Sequence, residues 1–210
     1  MIGSPASDRR RTAGSDGDAR LIALIDATMA EAARRAGSHL ACRIGCTECC
    51  MGPFPITVLD ARRLQVGLAL VARREPARAE AIRSRARTAV AQMRPDFPGD
   101  PHTGILSEDE AAEAAFSTRH EHVPCPALDP ASGRCELYQW RPISCRTFGP
   151  PVLIGDEKLP PCRLCFTGAS SADIEAARVP IDPEGLEDRL LERYAARGLA
   201  GETVVAFALL

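Results

Sequence analysis

Lysine is nearly missing from this chain: Lys158 is the only one, beside 25 arginines. Both residues solubilise a surface, so the imbalance by itself points to no chemistry. Aromatic residues make up only 4%, and a core has to rest on Leu, Val, Ile and Ala. There is no excess of positive charge; the formal net charge is −2 and the isoelectric point is near 6.1. That argues against a broadly basic nucleic-acid binder. No apolar run approaches the roughly 20 residues of a membrane span, and the nearest, Val204–Leu210, is far too short. After Arg9, Arg10 and Arg11 comes Thr-Ala-Gly-Ser-Asp-Gly-Asp instead of an apolar stretch, so no secretory signal is expected. The Gly-x-Ser-x-Gly elbow, the phosphate loop and the dinucleotide glycine fingerprint are absent. So is the ferredoxin spacing Cys-x2-Cys-x2-Cys-x3-Cys.

What the chain has is cysteine: nine in 210 residues, against only four histidines. Seventeen prolines and 16 glycines add much irregular backbone. Without a secretory signal the expected compartment is cytoplasmic, where a disulfide framework is rare. An odd count would also leave one thiol over in any fully paired scheme. Metal ligation is therefore the expected use of the thiols.

The organisation expected is a disordered tail over residues 1–17, poor in large apolar side chains, then a single cysteine-cluster domain over 18–210. Leu21, Leu24, Ile25, Thr28 and Ala32 share one helical face, and Gly37 ends that helix. Thr57 and Asp60 form a capping-box-like start for a helix to about Arg74. A second helix follows Glu75-Pro76 and runs to Met93. The stretch 62–94 carries nine arginines and two glutamates. It reads as two helices with wet outer faces rather than as an anion-binding patch, since no aromatic side chains interleave the charges. A short helix follows Ser107-Glu-Asp-Glu110, a strand is expected at Val152–Ile154, and helices at 171–178 and after Asp182-Pro183 to Gly198. Thr203–Leu210 is a final strand or a docked tail. The fold class expected is mainly α, with a loop-rich irregular cysteine core and little strand.

The thiols fall in three groups. The first is Cys42-Arg-Ile-Gly-Cys46-Thr-Glu-Cys49-Cys50. The second is Cys125, Cys135 and Cys145, in which a turn at Ser132-Gly133 would fold Cys125 back toward Cys135. The third is Cys162-Arg-Leu-Cys165. Metal–sulfur bonds of about 2.3 Å place two sulfurs on one ion roughly 3.7 Å apart, a span that a Cys-x2-Cys turn supplies. Neighbouring side chains in extended backbone point to opposite sides. The vicinal pair Cys49-Cys50 therefore suits two centres, or one polynuclear centre, better than a single four-thiolate ion. All-thiolate ligation fits zinc and iron–sulfur clusters alike. His120 and His122 precede Cys125 and are alternative ligands. Arg141 and Arg146 flank Cys145 and could offset thiolate charge, and Tyr138 and Trp140 read as covers for the site.

The segment Cys-x3-Cys-x2-Cys-Cys, followed by Cys-Pro-x-Leu, then Cys-x2-Tyr-x2-Arg-Pro-x2-Cys-Arg, resembles the YkgJ-type cysteine-cluster family over about residues 42–165. That family usually shows Cys-x2-Cys-x2-Cys-Cys; one extra residue separates Cys42 from Cys46 here. The resemblance implies a zinc- or iron-chelating module with about eight participating cysteines, and metal ions as its partners. The function expected is a metal-binding protein holding a zinc or iron centre, with an iron–sulfur centre among the options. The alternative is a metal-dependent enzyme or redox component in protein modification, since the family includes a flagellin lysine methylase.

Overall fold

The computed structural model describes residues 6–210. Residues 1–5 of the expected tail lie outside the described residues; residues 6–17 form the first turns of the first helix. The helices are α1 (Ala6–Ala36), α2 (Val58–Arg74), α3 (Pro76–Met93), α4 (Glu110–Arg119), α5 (Ile143–Thr147), α6 (Ser171–Ala177), α7 (Leu186–Ala195) and α8 (Val205–Ala208). Seven strands of two or three residues complete the described elements: β1 (Pro55–Thr57), β2 (Gly99–Asp100), β3 (Ile105–Leu106), β4 (Val152–Ile154), β5 (Glu157–Leu159), β6 (Val179–Ile181) and β7 (Glu202–Val204). The protein is mainly helical, as composition and periodicity imply. Among the described residues, contacts gather in two compact units, residues 6–42 with 146–199, and residues 43–145 with 200–210.

In the first unit, α1 packs on α6, α7 and β6. Leu21, Ile25 and Ala32 are buried along one face of α1, whereas Leu24 stands outside that stripe, half exposed. Strand β4 lies between β5, antiparallel to it, and β6, parallel to it. The expected strand at Val152–Ile154 is thus the centre of a small sheet. Helix α6 starts with a full capping box, Ser170 and Asp173 each accepting from the other's backbone amide.

In the second unit, α2 and α3 meet at Glu75-Pro76, where proline fits the first helical turn. Thr57 caps α2 by accepting from the Asp60 amide. The core holds Leu64, Leu68, Ile82, Leu137 and Leu209, with Cys125, Cys135 and Trp140 packed against it. Strand β7 pairs antiparallel with β1, Pro55 opposite Val204 and Thr57 opposite Glu202. Both expectations for the last residues hold in part: a strand forms, and α8 follows it into the core.

Four arginines of the arginine-rich stretch, Arg63, Arg78, Arg85 and Arg87, make ion pairs. Arg78 Nε donates to Glu136 Oε1 at 2.8 Å, and Arg85 pairs with the other oxygen of the same carboxylate. Arg85 Nε also donates to the Pro126 carbonyl at 2.9 Å. Two side chains of α3 therefore grip the segment between Cys125 and Cys135. Arg87 pairs with Glu80 on the exposed side.

Asp60 and Arg63 form a buried ion pair, 3% and 7% exposed. Asp60 Oδ1 also accepts from the Ile143 amide at 2.9 Å, which fixes the start of the helix carrying Cys145. Burial pushes the Asp60 carboxyl above its ordinary range, with Arg63 and the Ile143 amide acting the other way. Replacing Asp60 with Asn leaves a buried cation short of its counter-charge. Such a change costs on the order of 3–5 kcal/mol. Urea unfolding of Asp60→Asn is expected to show a loss of that size; a loss below about 1 kcal/mol would contradict the assignment.

Candidate metal centre

None of the nine cysteines is in a disulfide. In the second unit, backbone pairing brings the first two cysteine segments together. The Cys125 amide donates to the Cys50 carbonyl and the Gly52 amide to the Val123 carbonyl, both at 2.8 Å. A bridge joins Met51 to Pro124. Cys49 and Cys50 lie on a short 3-10 turn, Glu48–Cys50, rather than in extended backbone. Their side chains are thereby released from the opposite-sides rule.

The segment 125–135 folds back on itself as expected. Leu128 bridges Cys135, the Glu136 amide donates to Ala127 O at 2.7 Å, and the Asp129 amide donates to Arg134 O at 2.9 Å. The Asp129 carboxylate accepts from the amides of Ala131 and Ser132 and from the Ser132 hydroxyl. Gly133 completes this turn with φ +67, a conformation that a side chain would strain. Cys145 arrives on α5, held by the Asp60 contact already described.

Five thiols consequently share one neighbourhood: Cys49, Cys50, Cys125, Cys135 and Cys145 each feel the charge or hydrogen bond of others in the set. Burial pushes the Cys125 thiol up to about 12. It raises Cys145 and Cys135 as well, and the neighbouring thiols add to the rise. Cys49 moves the opposite way, to about 7, first through a hydrogen bond from Cys50, then through its own backbone and the Arg141 charge. Cys50 is raised first because its thiol donates to the Cys49 sulfur, with burial second.

Arg141 lies over the Tyr138 ring, 3.9 Å from guanidinium carbon to centroid, and donates to the Tyr138 carbonyl at 2.8 Å. Its charge lowers both Cys49 and Cys135, as expected of a cation beside thiolates. Arg146 Nη1 donates to both oxygens of the Asp26 carboxylate, at 2.7 and 2.8 Å. Its side chain is almost fully buried there. Trp140 packs on the core, but Tyr138 is 58% exposed and covers nothing. Its ring serves as a platform for Arg141.

Cys46 follows a turn closed by its own amide, which donates to Arg43 O at 3.0 Å. Its thiol hydrogen-bonds no other sulfur, so the structure does not draw it into the group of five. The remaining three, Cys42, Cys162 and Cys165, belong to the first unit. Cys42 Sγ lies 4.0 Å from Cys165 Sγ. His120 and His122 face elsewhere. His120 is buried against Phe116, with Nε2 3.3 Å from Asp96 Oδ2; His122 Nε2 is 3.1 Å from Gln92 Nε2.

The donor set fits a thiophilic ion. Several partly or fully buried sulfurs raise one another's proton affinity, a bound cation relieves that repulsion, and one arginine stands beside them. Among the described residues, no three Cys, His, Asp or Glu side chains are yet at the separations of a closed coordination shell. Arg63 was not singled out in the sequence, and Asp60 was read there only as part of the start of α2, not as the residue that positions Cys145. The signal was a carboxylate and an arginine three residues apart on a mostly apolar helix face.

Residues 41–165 match the protein family CxxCxxCC, described as "Putative zinc- or iron-chelating domain". No curated protein and no solved structure matches the chain.

The thiols should differ sharply in reactivity once metal is stripped by a chelator. The thiolate is the reacting form. At pH 7 a sub-stoichiometric alkylating reagent is expected to label Cys49 at least about tenfold faster than Cys125 or Cys145. Peptide mapping by mass spectrometry reads this directly, and equal labelling would contradict the shifts described.

Proposed function

Because the chain belongs to the CxxCxxCC family of zinc- or iron-chelating domains, we propose that it is a metal-binding protein whose centre is held by Cys49, Cys50, Cys125, Cys135 and Cys145. The observation that carries this reading is the meeting of five thiols from three separate chain segments within one unit. A four-thiolate zinc site would carry a net charge of −2, and the Arg141 guanidinium offsets part of it. The metal would supply cross-links to a segment built from turns and short bridges. Structural zinc sites contribute on the order of 10 kcal/mol of apparent binding energy. Nine thiols with no disulfide fit a reducing compartment, the cytoplasm.

A second reading is favoured by the same count. Five thiols, two of them vicinal, exceed what one tetrahedral ion takes, which favours a polynuclear centre of the iron–sulfur class. Elemental analysis of anaerobically purified protein tests the proposal, with the absorption spectrum separating its two forms. At least one equivalent of zinc or iron per chain is expected, colourless in the first form and brown with broad absorbance in the second. Cys145→Ser should cut the retained metal at least about tenfold. Protein that holds neither metal and takes up neither from solution would overturn the reading, as would unchanged metal content in Cys145→Ser.

Acidity gives an independent check. Ligation needs thiolates, and Cys125, Cys135 and Cys145 all hold their protons more tightly than free cysteine. Metal uptake therefore releases protons, and protons compete for the site. Affinity measured by chelator competition is expected to fall steadily from pH 8 to pH 6, by about tenfold per pH unit for each proton displaced. A flat profile would contradict thiolate ligation.

A further inference from the structure

Cys42 stands only four residues before Cys46 in the sequence, yet the structure gives it other partners. Within the first unit Cys42 Sγ is 4.0 Å from Cys165 Sγ. Two sulfurs bound tetrahedrally to one ion by bonds of about 2.3 Å lie roughly 3.7 Å apart, so this pair is within a few tenths of an ångström of ligating distance. Cys162 is tied to the same spot through Gly149. The Cys162 amide donates to the Gly149 carbonyl at 2.8 Å. A Cβ on Gly149 would stand 2.9 Å from Cys42 Sγ, and φ there is +127. The backbone thus runs directly against one thiol while anchoring another.

The turn that carries Cys162 and Cys165 is closed by the Cys165 amide donating to Cys162 O at 2.7 Å. Phe166 follows in the left-handed region, φ +55, without being glycine. Such a residue costs on the order of 1–2 kcal/mol and persists where its surroundings hold it. Here the Phe166 amide donates to His39 O at 2.8 Å and its ring stacks on His39, 5.2 Å between centroids. These contacts clamp the chain leading into Cys42 onto the turn of Cys165. Cys162 and Cys165 are buried with Ala36, Phe166 and Ala177, whereas Cys42 is exposed.

We propose that Cys42, Cys162 and Cys165 form an ion site of their own, complete within this unit, that takes one thiophilic ion of the zinc class through three thiolates. This rests on the reading that the thiols hold metal, and it adds that Cys42 does not belong to the centre of Cys49 and Cys125. Three thiolates on a divalent ion leave one coordination position for a small exogenous ligand, the arrangement of zinc sites that exchange ligands rather than purely cross-link. The exposed side of Cys42 is where that ligand enters. Closure asks Cys162 to swing its sulfur in by side-chain rotation. The ion held here is the more exchangeable one, since one of its three ligands is open to water.

Zinc itself is the probe. The full chain is loaded anaerobically with Zn2+, desalted, and assayed for zinc per chain and for the time course of loss to a chromophoric chelator. Wild type is expected to lose zinc in a fast and a slow phase. Cys42→Ser and Cys165→Ser should each remove about one equivalent and abolish the fast phase, while Cys125→Ser keeps the fast phase and loses the slow one. Cys42 is exposed, so its variant is the one expected to retain the wild-type circular dichroism if Cys165→Ser does not fold. The proposal is overturned if Cys42→Ser depletes the same phase as Cys125→Ser, or leaves zinc content unchanged. It is also overturned if the anaerobic protein carries a Cys42–Cys165 disulfide. Wild type that binds no zinc or iron defeats the metal-binding function itself, a distinct result from metal-replete wild type whose Cys42→Ser form is unaltered.

Discussion

Thiols from distant stretches of sequence have to meet here without a disulfide or a long β-framework to draw them in. The amide of Cys125 donating to the carbonyl of Cys50 is the contact through which they do so. It sets the register between the vicinal cysteines and the hairpin of Cys125 and Cys135. The hairpin in turn is fastened to α3 by Arg78 and Arg85 through Glu136 and the Pro126 carbonyl. Cys145 is delivered separately by Asp60. Three unrelated anchors, a backbone pairing, a charge clamp and a buried carboxylate, converge on one group of sulfurs. Each anchor is a hydrogen bond or ion pair in partly or fully excluded surroundings, where losing one partner costs more than the bond itself gains.

Such a site is costly to assemble without a cation. Burial disfavours thiolates and proximity disfavours them again, so Cys125 and Cys145 are raised above free cysteine while Cys49 alone is lowered, to about 7. The lowered thiol is the one beside both a donor thiol and Arg141. The same surroundings make Cys49 the first of these thiols to ionise as pH rises.

Much of the helical frame was legible because it follows local rules. Pro76 opening α3, Thr57 and Asp60 opening α2, and Gly37 directly after α1 each act within one turn. The strands were less legible. Strands β1, β5 and β6 are three residues long, and the partner of β1 lies far along the chain in β7. The reversal at Ser132-Gly133 was legible from its turn residues, and the grouping of thiols was not. Cys42 lies near Cys46 in sequence and against Cys165 in space, a choice made by Gly149, Phe166 and His39 rather than by cysteine spacing. Arg146 was read as a neighbour of thiolates because it adjoins Cys145. On a helix adjacent residues face different directions, and it pairs with Asp26 instead.

The pairing of β1 with β7 has a consequence for how the molecule is made. Strand β1 directly follows the first cysteine loop, while β7 comes after every cysteine in the chain. Domains are synthesised from the N-terminus onward, so the six cysteines of the second unit are translated before the strand that completes that unit. During that interval the nascent polypeptide presents unshielded nucleophiles to whatever oxidants and stray ions surround it.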